Sequence, residues 1–247
     1  MLKDDKATLR ACSLAAREFS QLALSRLGRH ITISNVHRVK LCAHLLTTNS
    51  AFQHVRSLDI AATGKYSSHE LTILQIFSQR HTLTRLWLTK VHFPMIGSHQ
   101  TIKIQDVVIA LSSTVNDLGL YECLFPSYAD MISFIRAFPH CDSLCIRNCV
   151  AGAKDSSGDI FSGLPGHKLS LNTLELSFSS SDRLIIDVPS LIEDADLDVA
   201  QLSALTCDLG SATQAHSVAK ATSASPIRHF KHEVGCIPRC VQKLDIS

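Results

Sequence analysis

One short phrase recurs seven times along this chain: an apolar residue, two spacers, an apolar residue, one spacer and an apolar residue. The copies run through Val55-Leu58-Ile60, Leu83-Leu86-Leu88, Val115-Leu118-Leu120, Cys141-Leu144-Ile146, Leu171-Leu174-Leu176, Leu202-Leu205-Cys207 and Val241-Leu244-Ile246. Their central leucines lie 28, 32, 26, 30, 31 and 39 residues apart. A single match is what any half-buried strand produces, whereas a band of similar spacings implies a repeated unit.

Alternate side chains of a strand face opposite ways, so Leu118 and Leu120 are assigned to one face and Asp117, Gly119 and Tyr121 to the other. Each phrase is followed by a long return segment and not by a tight hairpin turn, which predicts parallel strands. The resulting expectation is an α/β leucine-rich-repeat-like solenoid, a horseshoe, with a short helical N-terminal cap. Residues 1–30 form the cap and 31–247 the solenoid. The spacer residues then line a concave face, the default binding surface of such arrays. Seven of them are expected to meet a protein partner: Asp59, Arg85, Trp87, Asp117, Tyr121, Arg147 and Glu175. Trp87 is the only tryptophan, and Trp, Tyr and Arg are the types most enriched at energetic hot spots.

The segments between phrases carry helical periodicity. Ile104, Val107, Val108 and Leu111 follow the i, i+3, i+4, i+7 pattern, as do Met131, Phe134, Ile135 and Phe138. The second stripe has a start signal, because Ser127 offers a capping hydroxyl and Asp130 suits the positive end of a helix. Leu71, Leu74 and Phe77 predict another helix, and Cys42, Leu45 and Leu46 one before the first phrase. The Gly- and Ser-rich run from Ala151 to Lys168 reads as a surface excursion. The last phrase ends one residue before the C-terminus, so a solenoid stopping there is expected to expose a strand edge.

With 24 basic and 22 acidic residues spread without blocks, the chain has no electrostatic footprint for nucleic acid or an anionic membrane. No apolar run approaches the roughly 18 residues of a membrane span. The charged start, Met1-Leu2-Lys3-Asp4-Asp5-Lys6, does not fit a secretory signal, and the expected location is intracellular, cytoplasmic or nuclear. Nine cysteines, an odd number, then read as reduced thiols. Cys123 and Cys149 each stand three residues beyond the last apolar position of a phrase, where packing explains them. The series Cys141-Cys145-Cys149 invites a metal or iron-sulfur reading, but zinc sites usually pair such a spacing with a second distant pair, and alternation sends Cys145 to the face opposite Leu144 and Ile146; Cys236-Cys240, with His229 and His232 nearby, is an equally weak signal.

Catalytic signals are lacking too. There is no Gly-x-Ser-x-Gly elbow, no His-Glu-x-x-His, no dinucleotide fingerprint and no Walker sequence; Gly163 to Lys168 lacks the spacing that aligns backbone donors on phosphate. His37, His54, His81 and His140 sit near phrase boundaries, where turn and capping roles explain them. No catalytic residue, cofactor or metal is expected.

The N-terminal segment carries a family resemblance. Leu9-x-x-Cys12-Ser13-Leu14-x-x-x-Glu18-Phe19 resembles the second half of an F-box, and Arg29-His30-Ile31-Thr32-Ile33 is similar to the segment that follows it in mushroom-type fungal F-box proteins with irregular leucine-rich repeats. The resemblance implies a substrate-recognition subunit of a cullin-RING (SCF-type) ubiquitin ligase, or a truncated relative, with Leu9, Cys12, Leu14 and Phe19 meeting a Skp-type adaptor. The chain departs from the F-box pattern in having no Leu-Pro helix before Asp4 and Phe19 where Trp is common, so the F-box reads as incomplete. The alternative is a scaffold or interaction protein with no ubiquitin link.

Overall fold

The computed structural model describes residues 29–33, 54–61, 68–93, 104–152, 160–161, 163–177, 188–208 and 229–233. The strands in chain order are β1 (His30–Ile33), β2 (Ser57–Ala61), β3 (Arg85–Thr89), β4 (Asp117–Tyr121), β5 (Leu124–Phe125), β6 (Ser143–Arg147), β7 (Val150–Ala151), β8 (Leu169–Ser170), β9 (Thr173–Ser177), β10 (Leu197–Asp198), β11 (Ala204–Asp208) and β12 (His229–Glu233). The helices are α1 (Ser68–Ser78), α2 (Ile104–Ser112), α3 (Tyr128–Arg136) and α4 (Val188–Asp194).

Eight strands form one sheet in the order β1-β2-β3-β4-β6-β9-β11-β12, every neighbouring pair parallel. The pairing register aligns Leu58, Leu86, Leu118, Leu144, Leu174 and Leu205 across successive strands. These six are at most 1% exposed, as are Val55, Leu83, Val115, Leu171 and Leu202 at the first position of their phrases. The phrase therefore specifies the strands and their buried face. A ladder of carbonyls fixes the strand starts: Arg56 O accepts from Thr84 N and Arg85 N at 2.9 Å each, Thr84 O from Asn116 N at 2.9 Å and Asp117 N at 3.1 Å, and Asn116 O from Asp142 N and Ser143 N. At the strand exits, Lys90, Glu122 and Asn148 adopt φ of 58°, 50° and 50° and donate to the carbonyls of Tyr121, Arg147 and Ser177, each at 2.7 Å.

The expectation of a leucine-rich-repeat-like horseshoe is corrected by this architecture. What forms is an α/β arrangement around a parallel central sheet, of the open, Rossmann-like kind in which helices intervene between parallel strands, with only four short helices among the described residues. The return segments are not copies of one unit. After β4 and β6 the chain forms the two-stranded ladder of β5 and β7, whereas β8 and β10 pair in a separate one. The physical reason is that a period-two phrase fixes which face of a strand is buried, and carries no information on curvature or on what the intervening segments build. Val241-Leu244-Ile246 lies outside the described residues, and the strand paired with β11 is β12, with Phe230 opposite Leu205 and His232 opposite Cys207. The polar His232 at the third position hid this copy from the apolar pattern. Of the helical cap expected in residues 1–30 only Arg29 and His30 are described, and His30 opens β1; the helix around Cys42 and the strand edge at Ile246 lie outside the described residues.

The helical stripes are present. Ile104, Val107, Val108 and Leu111 are buried on α2, and Met131, Phe134 and Ile135 on α3, with Phe138 just beyond it. Ser127 caps α3, its Oγ accepting from Asp130 N at 3.0 Å and its hydroxyl donating to Asp130 Oδ2 at 2.8 Å. Asp130 also accepts from Phe161 N at 3.1 Å. This pins the glycine-rich excursion to the core: Phe161 is fully buried, 5.4 Å from Phe93 and 5.2 Å from Phe134 between ring centroids. The excursion is anchored and not only a surface feature, because aromatic burial and a buried carboxylate hold its middle.

Candidate functional site

The sheet has one face turned into the leucine core and one turned away from it, and the spacers occupy the second. Register places them in rows. His30, Ser57, Arg85, Asp117, Ser143 and Thr173 form one, and Thr32, Asp59, Trp87, Gly119, Cys145 and Glu175 the next. Tyr121 and Arg147 follow in a third, beside Thr89 and Ser177. All seven expected partner-binding residues thus share one face of the sheet.

Six of them form one chain of contacts in the centre. Trp87 Nε1 donates to Asp117 Oδ1 at 3.1 Å, and Arg85 Nε lies 3.5 Å from Asp117 Oδ2. The Arg85 guanidinium carbon stands 3.8 Å over the indole, within the range of a cation–π contact. On the other side Tyr121 approaches Trp87 to 5.0 Å between centroids, and Arg147 lies 5.4 Å from the Tyr121 ring. Arg147 forms an ion pair with Glu175. Two aromatic rings are therefore bracketed by two guanidiniums, each held by a carboxylate from the following strand.

Asp59 stands apart from this cluster. Its Oδ2 is 3.4 Å from His30 Nε2, while Oδ1 is buried with no hydrogen-bond partner among the described residues. Burial pushes the Asp59 carboxyl above its ordinary value, and Asp117 adds to the rise; His30 and Arg85 oppose it without cancelling it. Burial likewise pushes the Tyr121 hydroxyl up, helped by its contact with Cys145, whose Sγ donates to Tyr121 Oη at 3.4 Å.

The three spaced cysteines do not converge. Cys141 Sγ donates to Ser143 O, Cys145 faces Tyr121, and Cys149 Sγ donates to Leu120 O at 3.4 Å. Cys123 repeats the last pattern one strand earlier, donating to Leu88 O at 3.3 Å. Cys123 and Cys149 therefore have the packing role their position suggests. Cys236 and Cys240 lie outside the described residues. His54 and His140 are exposed, and His81 takes a left-handed φ of 50° in the turn after α1.

Two residues of the face were not singled out from sequence. His30 precedes the first phrase, and only pairing β1 with β2 brings it to Ser57 and Asp59. Cys145 stands out in the sequence only as the middle member of the Cys141-Cys145-Cys149 series. The alternation Leu144-Cys145-Ile146 already put it on this face, and its register with Gly119 next to Tyr121 supplies the rest. The adaptor residues implied by the F-box resemblance, Leu9, Cys12, Leu14 and Phe19, lie outside the described residues.

The class defined by this fold and face is an α/β protein with a parallel sheet carrying a preformed aromatic and guanidinium cluster. No protein-family model matches the chain, and no curated protein is detectably similar to it in sequence. Among the described residues, no helix is long and apolar enough to cross a membrane.

Proposed function

We propose that this chain is an intracellular, non-catalytic protein-binding protein, and that the outward face of its sheet receives a polypeptide partner. The observation that carries the reading is the rigid Arg85-Trp87-Asp117-Tyr121 cluster. It combines the three residue types most frequent at hot spots, with the indole N–H of Trp87 bonded to Asp117, the Arg85 guanidinium stacked on the indole, and the charged Arg147 and Glu175 at its rim. Trp87→Ala is expected to weaken partner binding by about 2 kcal/mol or more, measured by calorimetry with a partner captured from lysate, while the melting curve stays cooperative. Unchanged affinity defeats the reading.

The narrower proposal, substrate recognition for an SCF-type ubiquitin ligase, rests on the F-box resemblance of Leu9, Cys12, Leu14 and Phe19. Full-length chain should co-purify a Skp-type adaptor and a cullin, and Leu9→Asp with Leu14→Asp should abolish both. A wild-type chain that retains neither favours the scaffold reading.

A further inference from the structure

We propose that Asp59 receives a basic side chain, lysine or arginine, of the partner peptide; this rests on the reading of the sheet face as a polypeptide-binding surface. The argument is one of charge complementarity. Arg85 is matched by Asp117, Arg147 by Glu175 and Lys90 by Glu122 at 3.3 Å, so these three cations each have a carboxylate. Among the described residues Asp59 has no lysine or arginine ion-pair partner of its own. Its nearest positive candidate is the His30 imidazole, which is already shared with the Ser57 hydroxyl at 2.7 Å and the Thr32 hydroxyl at 3.1 Å.

Arg85 does not close the gap, because its guanidinium is stacked on Trp87 and drawn toward Asp117. What remains is a carboxylate with one oxygen buried and unpartnered among the described residues. Such an atom costs the full desolvation of a charged acceptor, and a cationic N–H donor is the group that recovers most of it. The raised carboxyl value supports this, since the cations at hand do not offset its burial.

Geometry sets the rest of the partner. Asp59 and Trp87 are register partners on β2 and β3. A basic side chain on Asp59 therefore runs beside the aromatic cluster, its methylene stem packing near the rings while its charged end reaches the carboxylate. An acidic side chain there would meet Asp59 and Asp117 together.

The test is selection of random linear peptides displayed on phage against the full chain, with wild type, Asp59→Asn, Asp59→Lys and Trp87→Ala as baits. Wild type should enrich lysine or arginine at one position about tenfold. Asp59→Asn should lose that enrichment and keep the other positions, and Asp59→Lys should replace it with glutamate or aspartate. Trp87-dependent peptides without a basic preference, or with one that survives Asp59→Asn, overturn the assignment and leave the binding face standing. If no peptide depends on Trp87, the binding face itself fails and the assignment with it.

Discussion

The indole of Trp87 covers Gly119: a Cβ built on that glycine would stand 2.8 Å from Trp87 Cγ and Cδ1 and 2.9 Å from Cδ2. Glycine at this position leaves the space that the ring fills, and the ring in turn reaches Asp117 on the same strand as Gly119. Gly119→Ala should therefore lift the indole from its seat, breaking the bond to Asp117 at a cost of about 1–3 kcal/mol typical of overpacking. Because Trp87 is the only tryptophan, its emission reports the event directly, and a red shift with a lowered melting temperature is expected. Unchanged emission would show that the ring does not rest on Gly119.

Leu118→Ala should destabilise the protein by about 2–5 kcal/mol, from lost transfer energy and the cavity left in the core. Leu118 is 0% exposed and lies between Leu86 and Leu144 in register, so little can collapse into the gap. Ile109, 45% exposed on α2, serves as the control, and its alanine variant should change stability by no more than about 0.5 kcal/mol. Urea melts of both variants test the difference.

The pH dependence of Asp59 follows from the sign of its shift. Its carboxyl value is raised in the folded state, so the protonated form is favoured there, and its contribution is fully present below 3.8 and lost as pH rises through the folded value. Asp59→Asn, which mimics the protonated acid, should gain melting temperature relative to wild type as pH climbs through that acidic window. His30, Arg85 and Asp117 face the same carboxylate and act on a charge that only the wild type carries; burial, the largest cause, sets the direction of the difference. A variant that loses ground with rising pH contradicts the assignment.

The buried thiols should resist alkylation in the native protein. Burial pushes Cys141 up to about 12, and hydrogen bonding with Cys123, followed by burial, pushes Cys149 well above its ordinary value. Reactivity belongs to the thiolate, so both should label slowly with iodoacetamide and promptly once urea unfolds the chain. Peptide mass spectrometry of a timed labelling series distinguishes the two, and fast native labelling of Cys149 would contradict its burial.

Much of the local structure was legible because it repeats within a few residues. The alternation around Leu86, Leu118 and Leu144 shows which side of each strand is buried, and the stripes of α2 and α3, with Ser127 as a cap, are periodic signals of the same short range. The horseshoe was an extrapolation from those strands to the segments between them. It failed because those segments differ in kind: one carries β5, another the buried Phe161, another α4.

For β2, β3, β4, β6, β9 and β11 the sequence by itself determined the strand phrases, the face each turns to the core and the residues left on the opposite face, since all of these depend on positions one or two residues apart. Tertiary structure alone decided that His30 meets Asp59, that Asp117 accepts from Trp87 thirty residues earlier, that Gly119 makes room for the indole, and that Asp130 holds Phe161. Those contacts depend on strand register and on how the intervening chain packs. They join residues far apart in sequence, and no short-range pattern specifies them.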